Sequence, residues 1–278
     1  MRKAKKILVY SISGVLCYGV LILGVYLFQD FFVYQPQELF VTSELDFDLP
    51  HQDVWLETAD GEKIHGLFFE THLSDRKGVV LYLHGNRGHL GRWGQYQEAF
   101  TSRGYDFFAI DYRGFGKSTG TPTEEGLYID ASAAYRWLSE RYPAGDIVIY
   151  GRSLGSGVAS HLAASYPARM LILETPYSDI KSVFEHNAPL LYLPFPLRAE
   201  FPNKDYLNRV PFPVYIFHGT QDELISYDSA SDLKESLKAA DRFITIRGGR
   251  HGNLADFPHY HFHLDQILGP NHWAAPES

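Results

Sequence analysis

The chain has 278 residues, of which 45% are hydrophobic and 21% are charged, and this composition suits one globular α/β domain with a short appendage. Its formal net charge is −8, and because an acidic protein repels phosphates, nucleic acid is excluded as a partner. The single cysteine, Cys17, excludes an intramolecular disulfide and a zinc site of the Cys/His type.

The N-terminal segment is predicted to be an uncleaved, single-pass transmembrane anchor. Residues 7–28 carry no charge and are mostly apolar, and a helix of this length spans roughly 33 Å, enough to cross a hydrocarbon core. Basic residues cluster within residues 1–6, whereas Asp30 follows the segment. The positive-inside rule therefore predicts a cytoplasmic N-terminus, with the remainder on the non-cytoplasmic side, which in a bacterium is the periplasm. A cleaved signal peptide is the alternative, although no small-x-small cleavage site follows the apolar stretch.

We accordingly expect two regions, an anchor at residues 1–30 and a catalytic domain at residues 31–278. Residues 1–28 hold four of the 25 basic residues and none of the 33 acidic ones, so the rest of the chain carries a formal charge of −12. A domain this acidic is not attracted to anionic lipid, so membrane attachment is expected to come from the anchor.

Beyond the anchor, the chain begins with a hairpin and then alternates strands with helical stretches. An Asp-Gly turn separates the two strands of the hairpin, which is a common hairpin signal. The later alternation predicts βαβ units and a mostly parallel sheet with helices on both faces. The predicted strands cover residues 54–58, 63–69, 78–83, 107–112, 147–150, 170–173, 214–219 and 243–246, and the predicted helices include 124–141 and 153–164.

The sequence Gly-Arg-Ser-Leu-Gly, residues 151–155, directly follows one of these predicted strands and precedes a helix rich in small residues. A sharp strand-to-helix turn exposes the hydroxyl of Ser153, and it requires small residues two positions before and after the serine. Gly151 and Gly155 meet that requirement. The pattern predicts a nucleophile elbow, although the motif alone is also compatible with an ordinary turn.

Partners for Ser153 follow downstream in the order Ser, Asp, His. Asp222 and His251 each lie just past the end of a predicted strand, where open parallel sheets place their sites. We predict that His251 is the general base and that Asp222 orients it. Asp179 is the alternative acid. If Asp222 is not the acid, it is an ordinary loop aspartate near the start of a helix.

A tetrahedral intermediate also needs two hydrogen-bond donors aimed at its oxyanion. The backbone N–H of Leu154, next to the nucleophile, is the first predicted donor. The second is the N–H of Asn86, which follows Gly85 in the loop after the strand 78–83. The glycine-rich loop at residues 111–118 does not match a phosphate-binding pattern, so we expect it to be structural.

Residues 177–212 interrupt the alternation with several prolines and aromatic residues, and we interpret them as a short apolar cap over the site, with a surface excursion as the alternative. His259, His261 and His263 suggest either a metal site or a histidine-rich surface helix. We favour the surface helix.

Together, the motifs at residues 84–86, 111–118, 151–155 and 218–222, with His251, resemble the α/β-hydrolase superfamily over about residues 50–268. They look most like its membrane-anchored, short-capped branch of depalmitoylase-like and bud-emergence-type serine hydrolases. The resemblance implies an α/β-hydrolase fold with a short cap. It also implies a Ser-His-Asp acyl hydrolase that uses no metal or organic cofactor.

The expected activity is hydrolysis of a carboxylic ester or thioester in a small-molecule or lipid acyl substrate. A serine peptidase of the prolyl-peptidase-like type is the second interpretation, since such enzymes share this arrangement. A non-catalytic, membrane-tethered binding module is the third, and it is disfavoured because all three members of the predicted triad are present.

Overall fold

The first element of the structure, a computed structural model that describes residues 2–269, is a long helix, α1 (Arg2–Val33). By length and composition, this helix is able to cross a membrane. It extends about one turn beyond the predicted apolar segment at each end. Met1 and residues 270–278, which include the last part of the predicted catalytic domain, lie outside the described residues.

The residues that follow α1 form an eight-stranded sheet in the described part of the chain. Its strands are β1 (His51–Glu57), β2 (Lys63–Phe69), β3 (Gly78–Leu83), β4 (Tyr105–Ile110), β5 (Ile147–Arg152), β6 (Met170–Glu174), β7 (Val214–Gly219) and β8 (Arg242–Ile246). Their order across the sheet is β1-β2-β4-β3-β5-β6-β7-β8. Strand β2 pairs antiparallel with both of its neighbours, and the remaining pairings are parallel, so the predicted mostly parallel sheet is confirmed.

The strand predictions agree with these bounds to within a few residues. The first strand begins at His51 rather than at residue 54, and the fourth covers Tyr105–Ile110 rather than residues 107–112. Asp111 follows the fourth strand, and its N–H donates to the His65 carbonyl of β2 at 2.9 Å. Its carboxylate accepts a hydrogen bond from the Leu90 N–H at 3.2 Å.

Helices cover both faces of the sheet, as the alternation predicted. They are α2 (Leu90–Trp93), α3 (Glu98–Thr101), α4 (Glu124–Ser139), α5 (Leu154–Ser165), α6 (Ile180–Asn187), α7 (Asn203–Leu207), α8 (Tyr227–Ser231) and α9 (Pro258–Leu268). Along β3, Val79 and Leu81 belong to one core with α4 and α5, whereas Val80 and Tyr82 belong to a second core with α2, α3 and α9. Every residue of β3 is buried, which explains its unbroken apolar sequence.

The segment between β6 and β7, interpreted from the sequence as a cap, contains α6 and α7 joined by residues without regular secondary structure. Asp179 begins α6 as its N-cap, because its carboxylate accepts a hydrogen bond from the Ser182 N–H at 2.7 Å. Prolines 189, 194 and 196 follow α6 closely, so the helix ends at Asn187. This segment is thus short, and its middle part is an irregular loop.

Candidate active site

The tight turn at Ser153 joins the end of β5 directly to the start of α5. Ser153 has a positive φ of 51°, which is strained for a residue with a side chain. A side chain at position 151 would collide with Ala159 and the Gly155 carbonyl, and one at position 155 would collide with the Leu83 carbonyl. Glycine at both positions therefore lets the turn form, and the turn holds the serine hydroxyl at the end of the sheet.

Ser153, His251 and Asp222 meet at this end of the sheet. The Oγ of Ser153 lies 3.0 Å from Nε2 of His251, and Nδ1 of His251 lies 2.9 Å from Oδ2 of Asp222. The Asp222 side chain is fully buried, while the His251 side chain remains 19% exposed. The imidazole is therefore held by a dry carboxylate and is still reachable by substrate and water.

The protein stabilises the charged form of the Asp222 carboxylate. Its second oxygen, Oδ1, accepts hydrogen bonds from the N–H groups of Leu224, at 3.0 Å, and Ile225, at 2.9 Å. Burial acts to raise the pKa of Asp222, but the hydrogen bond and charge of His251 and the Ile225 N–H outweigh it, so this pKa is lowered. Asp179, the alternative acid, instead caps α6.

Both predicted oxyanion donors border the nucleophile. Leu154 is the first residue of α5, where a backbone N–H has no acceptor within the helix. In the loop after β3, a Cβ added at Gly85 would lie 3.5 Å from the Cβ of Ser153, so the backbone there passes directly beside the serine. The Asn86 carbonyl accepts a hydrogen bond from the N–H of Gln35 at 2.8 Å.

This last contact connects the N-terminal helix with the site. Residues Gln35–Pro36, immediately after α1, pair in parallel with Arg87–Gly88 of the loop after β3. The end of α1 is thereby fixed beside the predicted oxyanion loop. Neither stretch has a sequence pattern that would have predicted their pairing.

A buried ion pair behind the nucleophile was also missed in the sequence. The Nε atom of Arg152 lies 3.4 Å from Oε1 of Glu174, and its Nη2 donates to the carbonyl of His251 at 3.3 Å. The hydroxyl of Tyr150 donates to the other Glu174 oxygen and lies 2.9 Å from the hydroxyl of Tyr260. Arg152 therefore connects the strands that flank the serine to the loop that carries the imidazole. An arginine within the elbow and a glutamate ending the next strand were the available signals.

The glycine-rich loop at residues 111–118 contacts the loop after β3, because the Tyr112 hydroxyl donates to the His84 carbonyl at 3.2 Å. Asp111 lies in the protein interior with Oδ1 3.5 Å from Nε2 of the buried His84. Arg113 forms an ion pair with Asp130 at 2.8 Å.

The three histidines near the C-terminus lie on a surface helix, α9. His259 and His263 are neighbours on one face, with their Nε2 atoms 3.2 Å apart. His261 lies elsewhere on the helix, with its Nε2 2.7 Å from the Ala255 carbonyl. Among the described residues, no group of three or more metal-ligating side chains is present.

This strand order, with a serine at a strand-to-helix elbow and a histidine and an aspartate at the ends of later strands, defines a serine hydrolase of the α/β-hydrolase fold. The chain is 30% identical to human alpha/beta hydrolase domain-containing protein 17B over 214 residues. The aligned region covers 76% of this chain and 73% of that protein. It therefore belongs to the α/β-hydrolase superfamily, as the motifs suggested.

Other comparisons agree with this assignment. A family model described as serine aminopeptidase, S33, matches residues 74–201. The lysophosphatidylserine lipase ABHD12 of Macaca fascicularis is 30% identical over 68% of this chain, which spans 52% of that protein. The Pyrococcus furiosus esterase Pf2001 has the same fold, with a TM-score of 0.68 over 85% of this chain and 96% of that one at 20% identity. The chain is an enzyme of the acyl hydrolase class.

Proposed function

We propose that Ser153, His251 and Asp222 form the catalytic triad of a membrane-anchored hydrolase that cleaves acyl esters or thioesters. The observation that carries this proposal is the continuous chain of hydrogen-bond distances from the Ser153 hydroxyl through the imidazole to the buried carboxylate. Such an arrangement activates a hydroxyl, which is a weak nucleophile at neutral pH.

The reaction then proceeds in two halves. Nε2 of His251 accepts the proton of the Ser153 hydroxyl while Oγ attacks the acyl carbonyl, and the imidazolium returns that proton to the leaving alcohol or thiol. The acyl group stays on Oγ until water, deprotonated by the same nitrogen, releases it as the acid. Throughout, the Asp222 carboxylate holds Nδ1–H and stabilises the imidazolium.

The oxyanion of each tetrahedral intermediate would be bound by the N–H groups of Leu154 and Asn86. Preorganised donors of this kind each lower the barrier by about 3 kcal/mol. The approach of the Gly85 backbone to Ser153 and the position of Leu154 at the start of α5 support this assignment.

We infer that the substrate is an acyl lipid of the membrane that α1 spans. The support is the long apolar helix, whose end is paired with the loop that carries Asn86. The chain is also similar to a protein named lysophosphatidylserine lipase, a name that indicates a membrane lipid as its substrate, and this similarity supports the same inference.

The basic residues before α1 favour a cytoplasmic N-terminus and a catalytic domain on the opposite side. A membrane-impermeant maleimide that labels a Leu73→Cys variant only from the cytoplasmic side would contradict this orientation.

A serine peptidase is the second candidate, favoured by the family model described as serine aminopeptidase, S33. It uses the same triad, so the two candidates differ in the leaving group. Turnover of aminoacyl amides above that of matched acyl esters would select the peptidase.

Labelling with a fluorophosphonate probe tests the mechanism. Wild type should be labelled, and Ser153→Ala should lose both labelling and about 10⁴-fold or more of ester turnover. Ser160→Ala is a matched control, because Ser160 is a buried serine within α5, the helix that follows Ser153. Its Oγ has no hydrogen-bond partner among the described residues. Equal labelling of Ser153→Ala and wild type would refute the assignment. p-Nitrophenyl esters of increasing chain length would then define the acyl preference.

A further inference from the structure

The middle of the cap is an unusually apolar loop. Residues 188–197 read Ala-Pro-Leu-Leu-Tyr-Leu-Pro-Phe-Pro-Leu and contain no charged side chain. Leu190 is 97% exposed and Tyr192 is 76% exposed. A contiguous exposed apolar segment of this kind is typical of an interaction surface rather than of a water-facing loop.

This loop, which we call the cap loop (residues 188–197), lies along α1. At its C-terminal border, Arg198 forms an ion pair with Asp30 at 2.7 Å. Further along α1, the rings of Phe195 and Tyr26 are 5.1 Å apart. Further still, the Tyr18 hydroxyl donates to the Tyr192 carbonyl at 2.8 Å. The cap loop therefore follows the helix for about three turns, from its charged end into its apolar part.

The helix provides a scale for the depth of this contact. Tyr18 precedes the end of the uncharged stretch, Phe28, by ten residues, and at ~1.5 Å per residue this is roughly 15 Å. A hydrocarbon core is about 30 Å thick. If α1 spans the bilayer, Tyr192 therefore lies near its midplane, and the Arg198–Asp30 ion pair lies at its border.

Part of the cap-loop backbone is free of unpaired N–H and C=O groups, which are costly in hydrocarbon. Prolines 189, 194 and 196 have no N–H to satisfy. The Leu191 N–H donates to the Ala188 carbonyl at 2.9 Å, and the Tyr192 carbonyl accepts from Tyr18. Irregular backbone is tolerated at membrane depth where it is packed against protein, as it is where Tyr192 and Phe195 contact α1.

We propose that the cap loop is inserted into the hydrocarbon core of the bilayer, beside α1, and that acyl chains enter the active site from there. This inference rests on the proposed function, because it requires α1 to span the membrane.

Two contacts connect the inserted region with the site. Asn187, which precedes the cap loop, donates to the Leu224 carbonyl at 2.9 Å, and the Leu224 N–H donates to Asp222. On the opposite side, Gln35 follows α1 and donates to the Asn86 carbonyl. Both the predicted acid and the predicted oxyanion loop are therefore tied to elements that emerge at the membrane border.

Fluorescence quenching in vesicles tests the insertion on the full-length protein. The environment-sensitive dye NBD is attached to Cys17 of wild type, which is exposed on α1, or to Leu190→Cys in a Cys17→Ser background. Leu73→Cys in the same background is the matched control, because this exposed leucine lies in the β2–β3 loop, at the opposite end of the sheet from the site. The vesicles contain phosphatidylcholine and phosphatidylglycerol with bromine on the middle of the acyl chains.

The proposal expects blue-shifted emission and strong bromine quenching at positions 17 and 190, and neither at position 73. Quenching at 17 without quenching at 190 would overturn the insertion while leaving the anchor intact. Absence of quenching at 17 would instead refute the spanning helix, and the insertion with it. Blue-shifted emission at 190 without bromine quenching would indicate coverage by protein, such as a second copy, and would also overturn the proposal.

An activity measurement gives a second test. Leu190→Asp places a charge in the proposed bilayer interior and should lower turnover of a vesicle-borne acyl lipid by about 10- to 100-fold. Turnover of water-soluble p-nitrophenyl acetate should not change, because the substituted side chain is exposed and lies outside the triad. Leu73→Asp should leave both activities unchanged. Unchanged lipid turnover would overturn the proposal, and so would an equal loss on the two substrates in a variant whose Tm equals that of wild type.

Discussion

Replacing Arg152 by methionine tests whether the buried ion pair behind the elbow supports the site. The Arg152 side chain is 4% exposed and the Glu174 side chain is 2% exposed, so water screens their interaction little. Burial alone would lower the pKa of Arg152, but the Glu174 carboxylate raises it, so the guanidinium keeps its charge. Methionine fills a similar volume without the charge, and it leaves the carboxylate buried with hydrogen bonds from tyrosine but no cation.

Removing one partner of a buried ion pair costs about 3–5 kcal/mol of the free energy of unfolding. For a domain of this size, about 4 kcal/mol corresponds to a decrease of roughly 8–16 °C in Tm. The lost hydrogen bond from Arg152 to the His251 carbonyl, 3.3 Å in the structure, should also loosen the loop that carries the imidazole. We expect kcat to decrease by about tenfold, with a smaller change in KM.

Thermal melts in mild detergent, together with ester turnover, measure both effects. Arg141→Met is the matched control, because Arg141 is 43% exposed and its ion pair with Glu140 lies on the surface. That substitution should cost less than about 1 kcal/mol.

The double variant Arg152→Met/Glu174→Gln removes both charges and retains an oxygen that accepts the Tyr150 hydroxyl. It should recover about 2–3 kcal/mol relative to the sum of the two single substitutions. A double variant whose loss equals that sum would show that the two side chains do not interact. An Arg152→Met variant as stable as the surface control would refute the reasoning altogether.

Three further changes test the site. Asp222→Asn should reduce kcat by about 10⁴-fold with KM nearly unchanged, because the imidazole loses its anionic partner; a loss below tenfold would argue for another acid. The lowered pKa of Asp222 stabilises the fold above its unfolded value of about 3.9, and this contribution disappears as pH falls through the lowered pKa. The Tm difference between wild type and Asp222→Asn, measured across pH, should therefore shrink below pH about 4. Gly155→Ala should prevent a stable elbow, since its Cβ meets the Leu83 backbone, whereas Gly145→Ala, with open space around it, should fold and hydrolyse esters normally.

Much of the sheet and of the elbow could be predicted from the sequence, because their determinants are local. A strand buried on both faces must be apolar throughout, and β3 is an uninterrupted apolar run. The turn at Ser153 needs glycine two positions away on both sides, and the sequence shows both. Asp222 and His251 could be proposed because each follows a recognisable strand, and parallel strands bring their carboxyl ends to one edge.

The contacts that connect α1 with the candidate site depended on tertiary structure. Nothing in the local pattern of residues 188–197 indicates that they lie along α1, because proline-rich apolar loops have no periodicity to interpret. The pairing of Gln35 with the loop that carries Asn86 joins segments about fifty residues apart through two short stretches. The burial of the Arg152–Glu174 ion pair also depended on tertiary structure. A charged residue at the end of a strand is usually solvated, and these two side chains are buried because neighbouring elements cover them.

The sequence by itself therefore determined the architecture, the proposed nucleophile and the order of its proposed partners, because strand periodicity and turn chemistry are encoded over a few residues. The tertiary structure alone decided the distances within the proposed triad, the burial of Asp222 and the place of the cap loop beside α1. Those quantities depend on packing between segments far apart in the chain, which residue spacing does not record.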